Sequence, residues 1–99
     1  MPEKMVFHIC RWIDWEIAQE KGEYRVDSMQ TEGFIHCSEK RQIKDTLQKC
    51  FPDERELILL HIEVRMLRSA MIYEEADGQM FPHIYGPINL EAIVKISKV

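Results

Sequence analysis

The sequence predicts an α+β protein in which strands outnumber helices. Two short segments, 15–21 and 39–50, have helical character, whereas six segments have the length and composition of strands. The last four of these strands follow one another without a helix between them. This order favours a mixed or mostly antiparallel sheet, split into parts, over a doubly wound parallel sheet.

The first strand is predicted over residues 5–10, where apolar residues alternate with His8. Alternation with a period of two is typical of a strand with one buried face. Asp14 is the predicted N-cap of the first helix, over residues 15–21, and Gly22 is the predicted stop.

A second strand is predicted over residues 33–37, and Ser38 is the predicted N-cap of the helix over residues 39–50. Residues 57–64 are the most apolar segment, which is typical of a strand covered on both faces. Residues 93–99 alternate apolar and polar side chains and are predicted to form the last strand.

Residues 71–76 and 80–85 flank Asp77-Gly78, which is a strong signal for a two-residue hairpin turn. Pro82 has no N–H to donate, so the second arm is predicted to be an edge strand.

The hairpin register predicts a cluster of polar and aromatic side chains. With a two-residue turn, Glu74 pairs with Phe81 and Ile72 pairs with His83. Cross-strand partners share a face, so Glu74, Phe81, His83 and Tyr85 are expected to form a small pocket on one side. The alternative is an edge hairpin whose Glu74 is only solvated.

Three histidines, His8, His36 and His83, lie in predicted strands, and we expect them to converge on one cleft. Histidine suits proton transfer and polar contacts near neutral pH. Ser38 is predicted to share a face with His36 and to contact a ligand, with the helix cap as the alternative role. Cys37 points the other way and is predicted to be a buried thiol.

Charge and cysteine content limit the classes of function. Lys plus Arg total 13 against 17 for Asp plus Glu, a net charge of −4 that argues against a nucleic-acid partner.

Residues 1–99 are predicted to be a single domain. No apolar run approaches a membrane span, and no signal peptide is visible, so a cytoplasmic protein without membrane contact is expected. The sequence carries no signal for an oligomeric state.

Three cysteines without a secretory leader, Cys10, Cys37 and Cys50, are expected to remain free thiols. Zinc could bind to the strand histidines together with Cys10. However, no Cys-x-x-Cys, His-x-x-x-His or His-Glu-x-x-His pattern is present, so no metal site is predicted.

The chain resembles the bacterial family known as domain of unknown function 952. The resemblance is carried by Phe7-His8-Ile9, by Trp15 with Gly22 and Tyr24, by Glu32-Gly33-Phe34-Ile35-His36-Cys37-Ser38, and by Tyr73-Glu74 with Phe81-Pro82-His83-Ile84-Tyr85-Gly86-Pro87.

This resemblance implies a fold like that of the ADP-ribosyltransferases, which include diphtheria toxin and the RNA 2′-phosphotransferases. Those enzymes bind NAD between two small sheets. By analogy, His8 would contact a ribose, Tyr24, Phe81 or Tyr85 would stack on a ring, and Glu74 would be the late carboxylate. The chain lacks an Arg-x-Ser-x-Glu pattern, however.

Three hypotheses follow. The first is an ADP-ribosyl- or phosphotransferase-like enzyme acting on NAD or a related nucleotide, with Glu74 and His83 as catalytic residues. The second is a module that binds a nucleotide or another small polar ligand without catalysis. The third is a structural or interaction domain, which leaves the histidine cluster without a role.

Overall fold

A computed structural model describes residues 4–26 and 28–99 of the chain. The helices and strands in chain order are β1 (Met5–Arg11), α1 (Trp12–Lys21), β2 (Glu23–Tyr24), α2 (Ser28–Thr31), β3 (Ile35–His36), α3 (Ile43–Cys50), β4 (Leu57–Glu63), β5 (Ala70–Ala76), β6 (Gln79–Tyr85), β7 (Ile88–Asn89) and β8 (Ile93–Lys98). No helix in the described residues is long and apolar enough to cross a membrane.

The described strands form three separate antiparallel sheets. One has the order β1-β4-β8, the second pairs β2 with β7, and the third has the order β3-β6-β5. The predicted α+β class is confirmed. All pairs of described strands are antiparallel. Only β5 and β6 are consecutive strands joined by a two-residue turn, and the other pairs join strands that are distant in the chain.

The main core lies between the sheets, and a smaller one lies under α3. Fully buried side chains from three strands meet in the main core: Val6 of β1, Leu60 and Ile62 of β4, and Ile84 of β6. On the opposite face of the β1-β4-β8 sheet, Leu59 and its neighbours on β1 pack against α3. The central strand β4 is therefore buried on both faces, as predicted.

The predicted start of the first helix was wrong, whereas its end was confirmed. Helix α1 begins at Trp12, and Arg11 occupies the N-cap position. Asp14 lies inside the first turn, where its carboxylate accepts hydrogen bonds of 3.0 and 3.1 Å from the Arg11 guanidinium. Gly22 adopts the left-handed conformation, with φ of 83°, and its N–H donates to Ala18.

The predicted capping role of Ser38 was also wrong. The Ser38 backbone instead pairs with Phe7 of β1, with N–O distances of 2.7 and 2.8 Å. Glu39 is the capping residue: its N–H donates to the Gln42 side chain in a capping box that opens a 3₁₀ turn leading into α3. The Ser38 hydroxyl lies 3.3 Å from the Thr46 hydroxyl and caps no backbone N–H of the helix.

The predicted hairpin register was confirmed pair for pair, from Ala76 with Gln79 to Ile72 with His83. The prediction of an edge strand was wrong, because β6 lies between β3 and β5. The Pro82 carbonyl accepts from Cys37 on the β3 side. The N–H and C=O of one strand residue point to the same neighbour. The missing N–H of Pro82 is therefore on the side of β3, which ends at His36, and Pro82 removes no hydrogen bond between β6 and β5.

Candidate functional site

A cavity of about 500 Å³ opens between β1, the β5–β6 hairpin and the end of α3. Its walls are mixed: aromatic rings, thiols, carboxylates and imidazoles all contribute. The predicted site residues that line it are His8, Tyr24, His36, Ser38, Phe81 and His83. The three histidines therefore share one cavity, as the sequence predicts.

Glu74 and Tyr85 lie outside the cavity wall and act on it through His83. The Nδ1 atom of His83 is 2.8 Å from Oε1 of Glu74. A carboxylate oxygen only accepts hydrogen bonds, so Nδ1 carries the proton. The Tyr85 hydroxyl donates to the same oxygen. Glu74 is thus held by two donors and fixes the orientation of the His83 ring.

The other nitrogen of His83, Nε2, is buried and has no hydrogen-bond partner among the described residues. In the neutral ring this atom holds a lone pair, because Nδ1 holds the proton. The His83 side chain is only 5% exposed. Leaving a buried acceptor unsatisfied costs about 1–3 kcal/mol, so this atom calls for a functional explanation.

Two further side chains enclose the His83 ring. Phe34 stacks on it with ring centroids 4.0 Å apart and planes 14° from parallel, and His36 approaches edge-on at 5.1 Å. His36 is the direct cross-strand partner of His83, and its Nε2 lies 3.1 Å from the Glu32 carboxylate. Phe34 was not among the predicted site residues. Its position two residues before His36 could have indicated it, because residues two apart on a strand share a face.

The hydrogen bond between Tyr85 and Glu74 shifts the pKa values of these two groups in opposite directions. Hydrogen bonds from Tyr85 and then His83 lower the pKa of Glu74 below its ordinary value. The same carboxylate raises the pKa of Tyr85, because a phenolate beside it would be destabilised. Glu74 therefore remains a carboxylate, and Tyr85 a hydroxyl, at neutral pH.

His8 is fully engaged in hydrogen bonds within the protein. Its Nδ1 donates to the His36 carbonyl at 2.5 Å, and its Nε2 accepts from the Tyr24 hydroxyl at 3.0 Å. Burial lowers the pKa of His8 to about 4, so the ring is neutral at physiological pH. These bonds tie β1 to β3 and β2, and a ligand contact at His8 remains a prediction.

The three cysteines are free thiols that line the cavity. Burial raises the pKa of Cys10 to about 11 and raises that of Cys37 further. Both are therefore protonated and poor nucleophiles at neutral pH. Within residues 4–26 and 28–99, no group of three or more His, Cys, Asp or Glu side chains is arranged to hold a metal ion.

The chain belongs to the family described as protein of unknown function (DUF952), whose sequence profile matches residues 9–96. It is similar to CC0527 from Caulobacter crescentus. The crystal structure of that protein has 26% sequence identity and a TM-score of 0.87 over 95% of this chain and 84% of that chain. The solution NMR structure of CC0527 has a TM-score of 0.80 at 26% identity over 96% and 84% of the two chains. No curated protein matches the chain.

We predict that burial of neutral His8 makes the protein unstable in mild acid. Between pH 6.5 and about 4 the unfolded chain binds a proton at this position that the folded chain does not. Stability from this group is therefore complete above pH 6.5 and is lost as the pH falls towards 4, by about 3 kcal/mol. Denaturant unfolding of the protein at a series of pH values measures this loss.

The matched variant is His8→Asn, whose amide can still donate to the His36 carbonyl but does not titrate. The stability difference between the parent and this variant should shrink by about 3 kcal/mol between pH 7 and pH 4. A difference that is constant with pH would show that His8 is not the titrating group.

Proposed function

We propose that this protein binds a small polar ligand in the cavity and that His83 accepts a hydrogen bond or a proton from it. The observation that carries the proposal is the His83 ring itself, whose Nδ1 is fixed by Glu74 while its buried Nε2 has no partner among the described residues. A carboxylate behind an imidazole fixes the tautomer that leaves Nε2 as an acceptor and stabilises the ring after it takes a proton.

The size and composition of the cavity support a ligand of the size of a nucleoside or nucleotide. Ligand cavities are usually 300–1,000 Å³, and this one is about 500 Å³. Phe51 and Phe81 supply flat apolar surface, and carboxylates, imidazoles and hydroxyls lie in the same wall. Such walls suit a planar ring that carries hydroxyl or amino groups.

The first test measures ligand-induced thermal stabilisation with nicotinamide, adenosine, AMP, ADP-ribose and NAD as probes. At least one of them should raise the Tm of the parent. His83→Phe keeps a ring beside Phe34 but removes the acceptor, and loss of one hydrogen bond of about 1 kcal/mol weakens binding about fivefold. His61→Phe is the matched control, because His61 lies outside the cavity and bonds to Ser97.

Equal responses of the parent and His83→Phe would remove His83 from the ligand site. No response of the parent to any of the five probes would rule out a nucleoside-like ligand.

A second candidate is an ADP-ribosyltransferase-like enzyme that acts on NAD. It is supported by a cavity between separate sheets, with His8 on the first strand and aromatic walls. A late carboxylate, Glu74, lies just outside the cavity wall, in contact with His83. In this reaction the bond from ribose C1′ to nicotinamide breaks with its electron pair leaving on nicotinamide. An acceptor oxygen then bonds to C1′ and loses its proton to a base. We favour the first proposal, because an oxygen of Glu74 is already taken by His83 and Tyr85.

For this second candidate, the parent should release nicotinamide from NAD, and Glu74→Gln should release it at least about tenfold more slowly. Glu74 is 39% exposed, so this variant should melt near the parent temperature. Chromatography of the released nicotinamide measures the rate, and Glu75→Gln, with the same charge change on the neighbouring residue, is the control. If the parent releases no nicotinamide, the NAD-cleaving activity is excluded.

A further inference from the structure

The charges around the cavity are unbalanced in favour of carboxylates. Four acidic side chains line it, against two basic ones; they are Asp14, Asp45, Glu54 and Asp77 against Arg11 and Lys49. Arg11 and Asp14 bind each other, with contacts of 3.0 and 3.1 Å. The other three acidic residues and Lys49 are exposed residues of the lining, which leaves it with a surplus of negative charge. A cavity of this charge attracts cations and repels anions.

The aromatic walls favour a cation as well. The half-buried rings of Phe51 and Phe81 line the same space. The face of an aromatic ring attracts an ammonium group within about 6 Å of its centre, by about 0.5–2 kcal/mol depending on desolvation. The aromatic rings and the carboxylates thus favour the same sign of charge.

The buried acceptor on His83 adds the third contact. An ammonium group donates up to three hydrogen bonds and accepts none, so it complements the lone pair on Nε2, which has no partner among the described residues. A phosphate or carboxylate carries no proton to donate at neutral pH and would face both this lone pair and the surrounding carboxylates.

We infer that the ligand of this cavity carries an ammonium group, which donates to Nε2 of His83 and is neutralised by the surplus carboxylates at the cavity wall. This inference rests on the proposed ligand-binding role of His83 and adds the charge class of the ligand. It makes primary amines with a ring or short chain the preferred class and disfavours ligands that depend on a pyrophosphate.

Three probes of one shape test the charge class: tyramine, tyrosol and 3-(4-hydroxyphenyl)propionate. They share a phenol ring and a short chain and end in an ammonium, a hydroxyl and a carboxylate group. Titrations followed by amide NMR shifts at low ionic strength should give the order ammonium, hydroxyl, carboxylate from tightest to weakest. The first and last should differ by about tenfold or more.

Two pairs of variants separate the sources of affinity. Asp45→Asn with Asp77→Asn removes two lining carboxylates and should bring the dissociation constants of tyramine and tyrosol together. Asp77 has φ of 51°, a conformation that Asn also tolerates. Glu16→Gln with Asp53→Asn removes two carboxylates that do not line the cavity, and it should leave the preference for tyramine unchanged.

His83→Phe distinguishes the failure of this inference from the failure of the proposed function. If His83→Phe weakens both tyramine and tyrosol but the carboxylate probe binds as well as tyramine, the ammonium class is wrong and the role of His83 stands. If His83→Phe weakens neither, both proposals fall. Absence of shifts at the cavity residues with tyramine at millimolar concentration also overturns the ammonium class.

Discussion

The site depends on the two-residue turn that joins β5 and β6. Asp77 and Gly78 both have positive φ, 51° and 78°, as a tight hairpin turn with the twist of its strands requires. The turn fixes the register, and the register puts Glu74 and His83 on one face. A slip of one residue would move every side chain of one strand to the other face and would separate the carboxylate from the imidazole.

A second constraint joins the site to the rest of the protein. His8 is buried, yet both of its ring nitrogens have partners, the His36 carbonyl and the Tyr24 hydroxyl. Burial of a polar ring is tolerated when each of its polar atoms is satisfied. This bonding brings β1 close to β3, whose residue His36 is the cross-strand partner of His83. His8 and His83 therefore have different physical roles: one ring is saturated with protein contacts, and the other retains a buried acceptor.

The sequence predicted the local features of the fold better than the long-range ones. The hairpin register and the helix stop at Gly22 were confirmed because each depends on residues close together in the chain. Strands β2 and β7 were missed, since two residues are too few to show an alternating pattern and their pairing joins distant parts of the chain. The capping role of Ser38 and the edge position of Pro82 were wrong for a related reason. Both depend on partners, Phe7 and Cys37, that only the tertiary structure brings near.

Part of the candidate site could be predicted because it, too, depends on residues that are close together in the chain. Glu74, Phe81, His83 and Tyr85 follow from the hairpin register alone. The stacking of Phe34 on His83 and the surplus of carboxylates at the cavity wall depend on how β3, α1 and α3 pack around that hairpin. No pattern of spacing along the chain contains that information, so the charge of the cavity became visible only in the folded protein.

The proposed ligand site requires that neutral His83 carry its proton on Nδ1 and leave Nε2 as the acceptor. Long-range ¹⁵N–¹H NMR of the histidine rings distinguishes the two tautomers directly, at a pH where the ring is neutral. We expect a protonated Nδ1 and an unprotonated Nε2 for His83, with the Nε2 signal moving when a ligand donates to it. A proton on Nε2, with Nδ1 unprotonated beside Glu74, would contradict it.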